Sequence, residues 1–439
     1  AVGLFNYVTA IATYFTLFAS LGFPIYGIRE IANVKDNPEK FPKIVNAIFT
    51  ANCLATLIVY LAYIIMSLII GGDNILLYSI IGLSVLMSCI SFDWFYQGIE
   101  DFQYITIRSL IIKCISIIGL FIFVHNSTDL IAYAVLSIIG TCGNNILNLC
   151  RIRKYLKLRF SFVDCWKHTK GASTLFLGTI AVSLYTQLNS IMVGAIGSMT
   201  AVGYFTTGNK IVQLIMTIIP AVTSTIIPRM SYLIGNNKEE EAIQLQKKVV
   251  HLLVYIGLPM TGGLIVLAKP IILLLSGEEF LPATIILQIL ASLLIIIPLS
   301  SFLGLQILYP LHKEKYGNYA VIIGAMVNII LNSFLIPLWG HIGVAISVLC
   351  AETIITLVHY LFAMRYMKLH LKDFFPINAF VATVIMTIVT YYLSIKFTTL
   401  FYLPMICFCG ILIYLIILVI LKDRFIKESI SNLKINTRK

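Results

Sequence analysis

Thirteen stretches, each long enough to cross a bilayer and almost free of charge, run through this chain at 4–27, 44–70, 75–97, 102–124, 128–150, 170–196, 204–230, 246–275, 280–309, 317–337, 341–364, 374–395 and 399–421. A spanning helix needs roughly 20 predominantly apolar residues, because backbone polar groups in hydrocarbon must be satisfied within the segment itself. The longer stretches imply tilt, or an end that continues beyond the bilayer. The longest polar connector, 151–169, falls well below the size of a soluble domain. Only 11% of residues are charged, against about 25% in ordinary soluble domains, so the chain cannot cover a water-facing surface. A soluble enzyme is excluded, and an all-α polytopic membrane protein is expected.

The net charge of +12 would gather on one face or tail in a nucleic-acid binder, but here the basic residues sit in short connectors, so no nucleic-acid partner is expected. Alternate connectors hold Arg29, Lys35, Lys40 and Lys43; Arg108; seven residues from Arg151 to Lys170; Arg229, Lys238, Lys247 and Lys248; Lys313 and Lys315; Arg365, Lys368 and Lys372; and six from Lys422 to Lys439. That set has 27 of the 31 basic residues; the opposite connectors have only Lys269 and Lys396, and Lys113 and Lys210 lie inside spans. Positive residues in short loops mark the cytoplasmic side. The bias places the C-terminus in the cytoplasm and residue 1 outside. Nine scattered cysteines, among them Cys53, Cys89, Cys114, Cys407 and Cys409, lack zinc or disulfide spacing and are expected to be small buried apolar residues. Nothing at the N-terminus has the form of a signal peptide.

Residues 1–11, AVGLFNYVTAI, and 201–211, AVGYFTTGNKI, share five of eleven positions at an offset of 200, and Arg29 matches Arg229 at the same offset. The match predicts two parallel six-helix lobes related by an axis along the membrane normal. The second lobe has a span, 170–196, directly before its AVG segment. An unseen N-terminal helix starting in the cytoplasm would complete the first lobe and bring the total to fourteen. The expected layout is an N-terminal lobe at 1–156, a C-terminal lobe at 157–366, two additional helices at 367–421 and a basic tail at 422–439.

Charges at membrane depth are costly and usually face a protein interior or a wet cavity. Lys210 lies about a turn into its span beside Asn209, with Gln213 three residues on along the same face. It either offers a positive charge to an anionic head group or snorkels to the outer surface, and the first reading is preferred. Arg29 and Glu30 follow Gly22 and Pro24, where the helix is expected to kink or unwind. Arginine suits a bidentate grip on phosphate, so Arg29 and Arg229 are candidates for one such group per lobe; each could equally be an interfacial anchor. Asp93 opens DWFYQG, whose Trp94, Phe95 and Tyr96 suggest an interfacial aromatic belt. Asp93 is expected to pair with a basic residue and hold a gate region together, with ion coupling as the weaker alternative. Glu352, near the middle of its span, faces either another helix or the cavity. Asn144, Asn145, Asn148, Gln187, Asn189, Asn328 and Asn332 are expected to hold helices together in preference to binding sugar.

Pro220, Pro228, Pro259 and Pro298 interrupt later spans, as is common in transporters. The sequence has no GxxxxGK(S/T) phosphate-loop motif and no soluble domain to hold one, which excludes an intrinsic ATP pump. No catalytic constellation sits on a connector large enough to shape a site, and the seven histidines are dispersed.

The opening AVGLFNYVTAIATYFTLFASLGFPIYGIREIA at 1–32, DWFYQGIEDFQYITIRS at 93–109 with Lys113 behind it, LNSIMVG at 188–194 and AVGYFTTGNKI at 201–211 resemble polysaccharide-exporting flippases of the multidrug/oligosaccharidyl-lipid/polysaccharide (MOP) exporter superfamily, specifically the O-antigen and capsule repeat-unit translocases. The resemblance implies a V-shaped pair of six-helix lobes that opens alternately inward and outward. The cargo it implies is an oligosaccharide linked by diphosphate to polyprenol, moved from the inner to the outer leaflet of a bacterial or archaeal plasma membrane. It further implies a positively charged cavity, coupling to Na+, H+ or membrane potential without a bound cofactor, contact with membrane lipids, and delivery to a polysaccharide polymerase or ligase. By the family pattern Arg29, Glu30 and Lys210 fall at motif positions. In the branch that moves lipid-linked peptidoglycan precursors, an additional helix pair like 374–421 helps shape a lipid groove. A multidrug exporter and a non-transporting membrane partner of a polysaccharide synthase are the alternatives; the first should carry acidic groups where this chain carries basic ones.

Overall fold

The computed structural model describes residues 2–126, 128–217, 226, 230, 232–233, 238–308, 311, 313–365, 376–397 and 399–423, with backbone alone at 174–175, 177–186 and 314. Among these residues all regular structure is helical, and eleven helical segments are long and apolar enough to cross a membrane. The stretch expected at 170–196 lies partly outside the described side chains, and that expected at 204–230 partly outside the described residues. The second of them begins in a helix, Met199–Met216, whose Thr, Asn, Lys and Gln residues lower its hydropathy. The chain divides into two compact units, Ala1–Gly194 and Ala195–Lys439. Helix 165–196 belongs to the first unit as far as Gly194.

In the first unit, α1 (Val2–Ser20) and α2 (Phe23–Val34) form one broken span. Leu21 and Gly22 have φ of 44° and 77°, and Pro24 stands in the first turn of α2, so the expected interruption is present. A Cβ on Gly22 would lie 2.5 Å from the Ala172 carbonyl of α8 (Cys165–Ile196), so glycine serves both the turn and the close approach. After α3 (Lys40–Ile70), the next span breaks in the same manner: α4 (Ile75–Met87) gives way to a single 3-10 turn, and Phe92 has a φ of 45° before α5 (Asp93–Gly98). Then come α6 (Phe102–Phe123), capped by the Asp101 carboxylate on the Tyr104 N–H, and α7 (Leu130–Ile152).

The expected interfacial belt at Trp94, Phe95 and Tyr96 is corrected by the structure, which buries all three. Gly27 of α2 lets the Trp94 ring lie against the helix backbone, where a Cβ would come within 2.5 Å of the ring. Lipid is as apolar as this core, so the stabilisation comes from close packing. Edge-to-face contacts of Phe95 with Trp94 and Tyr96 add roughly 0.5–1.5 kcal/mol each. The cysteine expectation also fails in part: Cys114, Cys150 and Cys407 are exposed.

In the second unit, α9 (Met199–Met216) is followed by α10 (Glu239–Ser276), whose first turn carries Glu239, Glu240 and Glu241 at the positive end of the helix dipole. Pro259 and Pro270 lie inside α10, which continues through both. Next are α11 (Ala283–Leu290), α12 (Leu293–Ser301, containing Pro298), a π-helical run at Phe302–Leu308, α13 (Glu314–Trp339) and α14 (His341–Ala363). Pro220 and Pro228 lie outside the described residues. The last pair, α15 (Ile377–Lys396) and α16 (Leu403–Ile420), is tied to α10 by buried Asp423, which accepts from the Tyr255 hydroxyl at 2.6 Å and the Asn378 amide at 2.9 Å.

The two AVG segments use their faces alike. Gly3, Phe5, Asn6, Val8, Ile11 and Ala12 are buried in α1, and Gly203, Phe205, Thr206, Gly208, Ile211 and Val212 are buried in α9. Positions 2 and 10 depart from this pattern: Val2 is exposed and Val202 buried, whereas Ala10 is buried and Lys210 exposed.

Candidate functional site

The α4–α5 break brings Asp93 to the start of α5, opposite Arg108 on α6 and Asn148 on α7. Arg108 donates to the Asp93 carboxylate at 2.9 Å and to the Asn148 side-chain oxygen, while the Asn148 amide donates to the same Asp93 oxygen at 2.9 Å. The Tyr96 hydroxyl reaches the Asn148 carbonyl at 2.9 Å, and Asn145 donates to the Met87 carbonyl at 2.9 Å. Asn145 and Asn148 therefore bind helices together. Nearby, Arg151 pairs with Asp101 at 2.7 Å and stands 3.9 Å over the Tyr104 ring, and Lys35 pairs with Glu100 at 3.0 Å.

Sequence reasoning placed Arg108 among connector charges, yet the structure buries it in α6. The available signal was its position a turn and a half inside an apolar stretch, with Asp93 and Asn148 each inside a neighbouring span. Moving it out of the connector set leaves the charge bias strong.

Arg29 is exposed on α2 and Glu30 half-buried beside it. One turn earlier the Tyr26 hydroxyl contacts Nδ1 of buried His168 at 2.9 Å, joining α2 to the start of α8. Burial holds the His168 pKa below the ordinary imidazole value, with the negative charges of Glu30 and Asp164 opposing that shift. Glu30 thus stands by the α2–α8 clasp.

In the second unit, α9 starts from Ser198, whose hydroxyl accepts from the Ala201 N–H at 3.1 Å. Its buried face packs on α11, and Lys210 and Gln213 share the opposite, exposed face with Leu214; Asn209 is half-buried. Glu352 is half-buried on α14. Arg229, the expected match to Arg29, lies outside the described residues. A separate apolar cleft of about 590 Å³ opens between α10, α12, α14 and α15, with Val254, Leu258, Ile295, Leu299, Tyr360 and Phe380 in its wall. Among the described residues no three His, Cys, Asp or Glu side chains gather as a metal site.

Broken spans carrying polar side chains on an apolar scaffold are those of a polytopic membrane protein. The polysaccharide biosynthesis protein family model matches residues 1–234, and the MatE model matches 175–334. The chain belongs to the polysaccharide biosynthesis protein family, within the MOP superfamily of multi-span membrane transporters. It is 25% identical over 369 residues to a protein of Escherichia coli (strain K12) named "Putative O-antigen transporter", covering 82% of this chain and 88% of that one. It is 25% identical over 381 residues to the capsular polysaccharide biosynthesis protein CapF of Staphylococcus aureus, covering 83% and 91%. The fold is similar to the solved structure of the lipid II flippase MurJ in an inward closed conformation, with a TM-score of 0.75, 19% identity and coverage of 96% and 93%. The protein is a transporter and not a catalyst.

Proposed function

We propose that this protein is a flippase that carries polyprenyl-diphosphate-linked oligosaccharide repeat units of an O-antigen, capsule or exopolysaccharide from the inner to the outer leaflet by alternating access. The observation that carries the reading is the exposed α9 face, where Lys210 and Gln213 stand opposite the face packed on α11. A lysine there matches a diphosphate in sign. At 4 Å and an effective dielectric near 20, such a pair gains about 4 kcal/mol before desolvation. Arg29, with Arg229 as its expected counterpart, supplies further positive charge; Asn209 and Gln213 offer hydrogen bonds to phosphate or sugar.

The apolar cleft beside α15 suits a prenyl chain, which stays in an apolar environment while the head group crosses. Asp93 and Glu30 act at gates, Asp93 through Arg108 and Glu30 beside the Tyr26–His168 clasp; Glu352 is the candidate for Na+ or H+ coupling. The six-helix lobes at 1–156 and 157–366, the additional helices at 367–421 and the cytoplasmic tail at 422–439 belong to the same reading, as do fourteen spans and transfer of cargo to a polymerase or ligase. The test is complementation of a flippase deletion. Lys210→Ala and Arg29→Ala should insert at normal levels and lose glycan export. Normal export by both would remove the charged-cavity mechanism.

A further inference from the structure

We propose that the first unit holds a binding site for an anionic phospholipid, in the pocket that the 151–169 connector forms against α3 and α7. The pocket is about 560 Å³, with Arg153, Lys157 and Arg159 at its polar side and Phe49, Leu156 and Phe160 among its apolar lining. Along the connector the residues alternate Leu156, Lys157, Leu158, Arg159, Phe160. In an extended backbone that alternation separates a basic edge from an apolar one.

The connector is held in place by α3. The Arg159 N–H donates to the Asn46 side-chain oxygen at 3.0 Å, and the Ser161 N–H donates to the Thr50 hydroxyl at 2.8 Å. Asn46 and Thr50 are both buried. Between them on α3, Phe49 stacks on Phe160 and, on its other side, on Phe92, with centroids 5.6 and 5.3 Å apart. The floor of the pocket is therefore part of the protein core, and the basic residues stand at its exposed rim.

Two features select the ligand. Apart from the three basic side chains, every lining residue is aliphatic or aromatic, so the pocket offers a phosphate grip and an acyl contact but no neutral hydrogen-bonding side chain for sugar. Just beyond it Phe162, Val163 and Trp166 are 70–80% exposed, as residues inserted into a head-group layer would be. A phospholipid phosphate at that depth meets Arg153, Lys157 and Arg159, and its acyl chain lies over Phe49 and Leu156.

The test is native mass spectrometry of the full chain released from nanodiscs of phosphatidylcholine mixed with phosphatidylglycerol. The wild-type protein should retain phosphatidylglycerol in preference to phosphatidylcholine. The triple variant R153Q/K157Q/R159Q should retain at least about tenfold less. The control K154Q/K167Q/K170Q, which removes equal charge from the connector and the start of α8 outside the pocket, should retain it. Equal retention by the pocket variant, or equal loss by the control, would overturn the site. So would equal binding of phosphatidylcholine, displacement by millimolar inorganic phosphate, or preferential displacement by polyprenyl diphosphate, which would assign the pocket to free phosphate or to cargo.

Discussion

Arg108 and Asp93 meet at 2.9 Å across the α5–α6 turn, fifteen residues apart in sequence, and their exposures are unequal: the arginine side chain is 2% exposed and the aspartate 45%. Loss of either partner therefore has a different cost. Asp93→Ala strands a buried guanidinium that keeps only Asn148 as a side-chain acceptor, and should destabilise the protein by about 3 kcal/mol. Arg108→Met leaves a carboxylate that solvent can reach, and should cost about 1 kcal/mol. Unfolding of the purified variants in detergent checks the order; a larger loss for Arg108→Met would contradict it.

Lys210 distinguishes a cavity charge from a placement anchor. Lys210→Arg should retain most transport, whereas Lys210→Ala should lower it by about tenfold or more and Lys210→Glu should abolish it, all at normal membrane levels. Initial export rates in cells provide the comparison. Equal activity of the alanine and arginine variants would make Lys210 an anchor.

His168 predicts a pH dependence. Its pKa is depressed by burial, so its stabilising contribution is complete above the ordinary imidazole value of about 6.5 and is lost as pH falls through the lower folded-state value. Thermal unfolding between pH 7.5 and 5 should show a loss of stability on acidification that is smaller in His168→Asn. Identical pH profiles for the two proteins would remove His168 from the clasp between α2 and α8.

The apolar cleft makes a prediction about tail length. Leu299→Trp fills part of it. Transport of cargo on a long prenol should fall several-fold, with less effect on the same saccharide on a short prenol. Competition between the two substrates in proteoliposomes measures the ratio, and an unchanged ratio would place the tail elsewhere.

Long apolar stretches made membrane-spanning helices legible because hydrocarbon allows few alternatives to a helix. The Gly22–Pro24 interruption was equally readable, since positive φ and a missing N–H are properties of individual residues. The burial of Trp94, Phe95 and Tyr96 was not, because an aromatic run at a membrane boundary has the same local pattern whether it faces head groups or a neighbouring helix. Only the tertiary approach of Gly27 decides between them. Arg108 was obscured for a similar reason: a charge near the end of a span looks like a connector residue until its partners on α5 and α7 are placed. Lys210, Asn209 and Gln213 stand out in the sequence because polar groups within an apolar stretch are costly wherever that stretch lies.

The most direct measurement is translocation itself: purified protein in liposomes, a fluorescent polyprenyl-diphosphate oligosaccharide in one leaflet, and its appearance in the other read by an external quencher. The wild-type protein should move this lipid faster than protein-free liposomes do, and should leave the uncharged prenol-linked saccharide behind. No acceleration of the diphosphate-linked glycan, together with transport of hydrophobic cations by the same preparation, would contradict the flippase account.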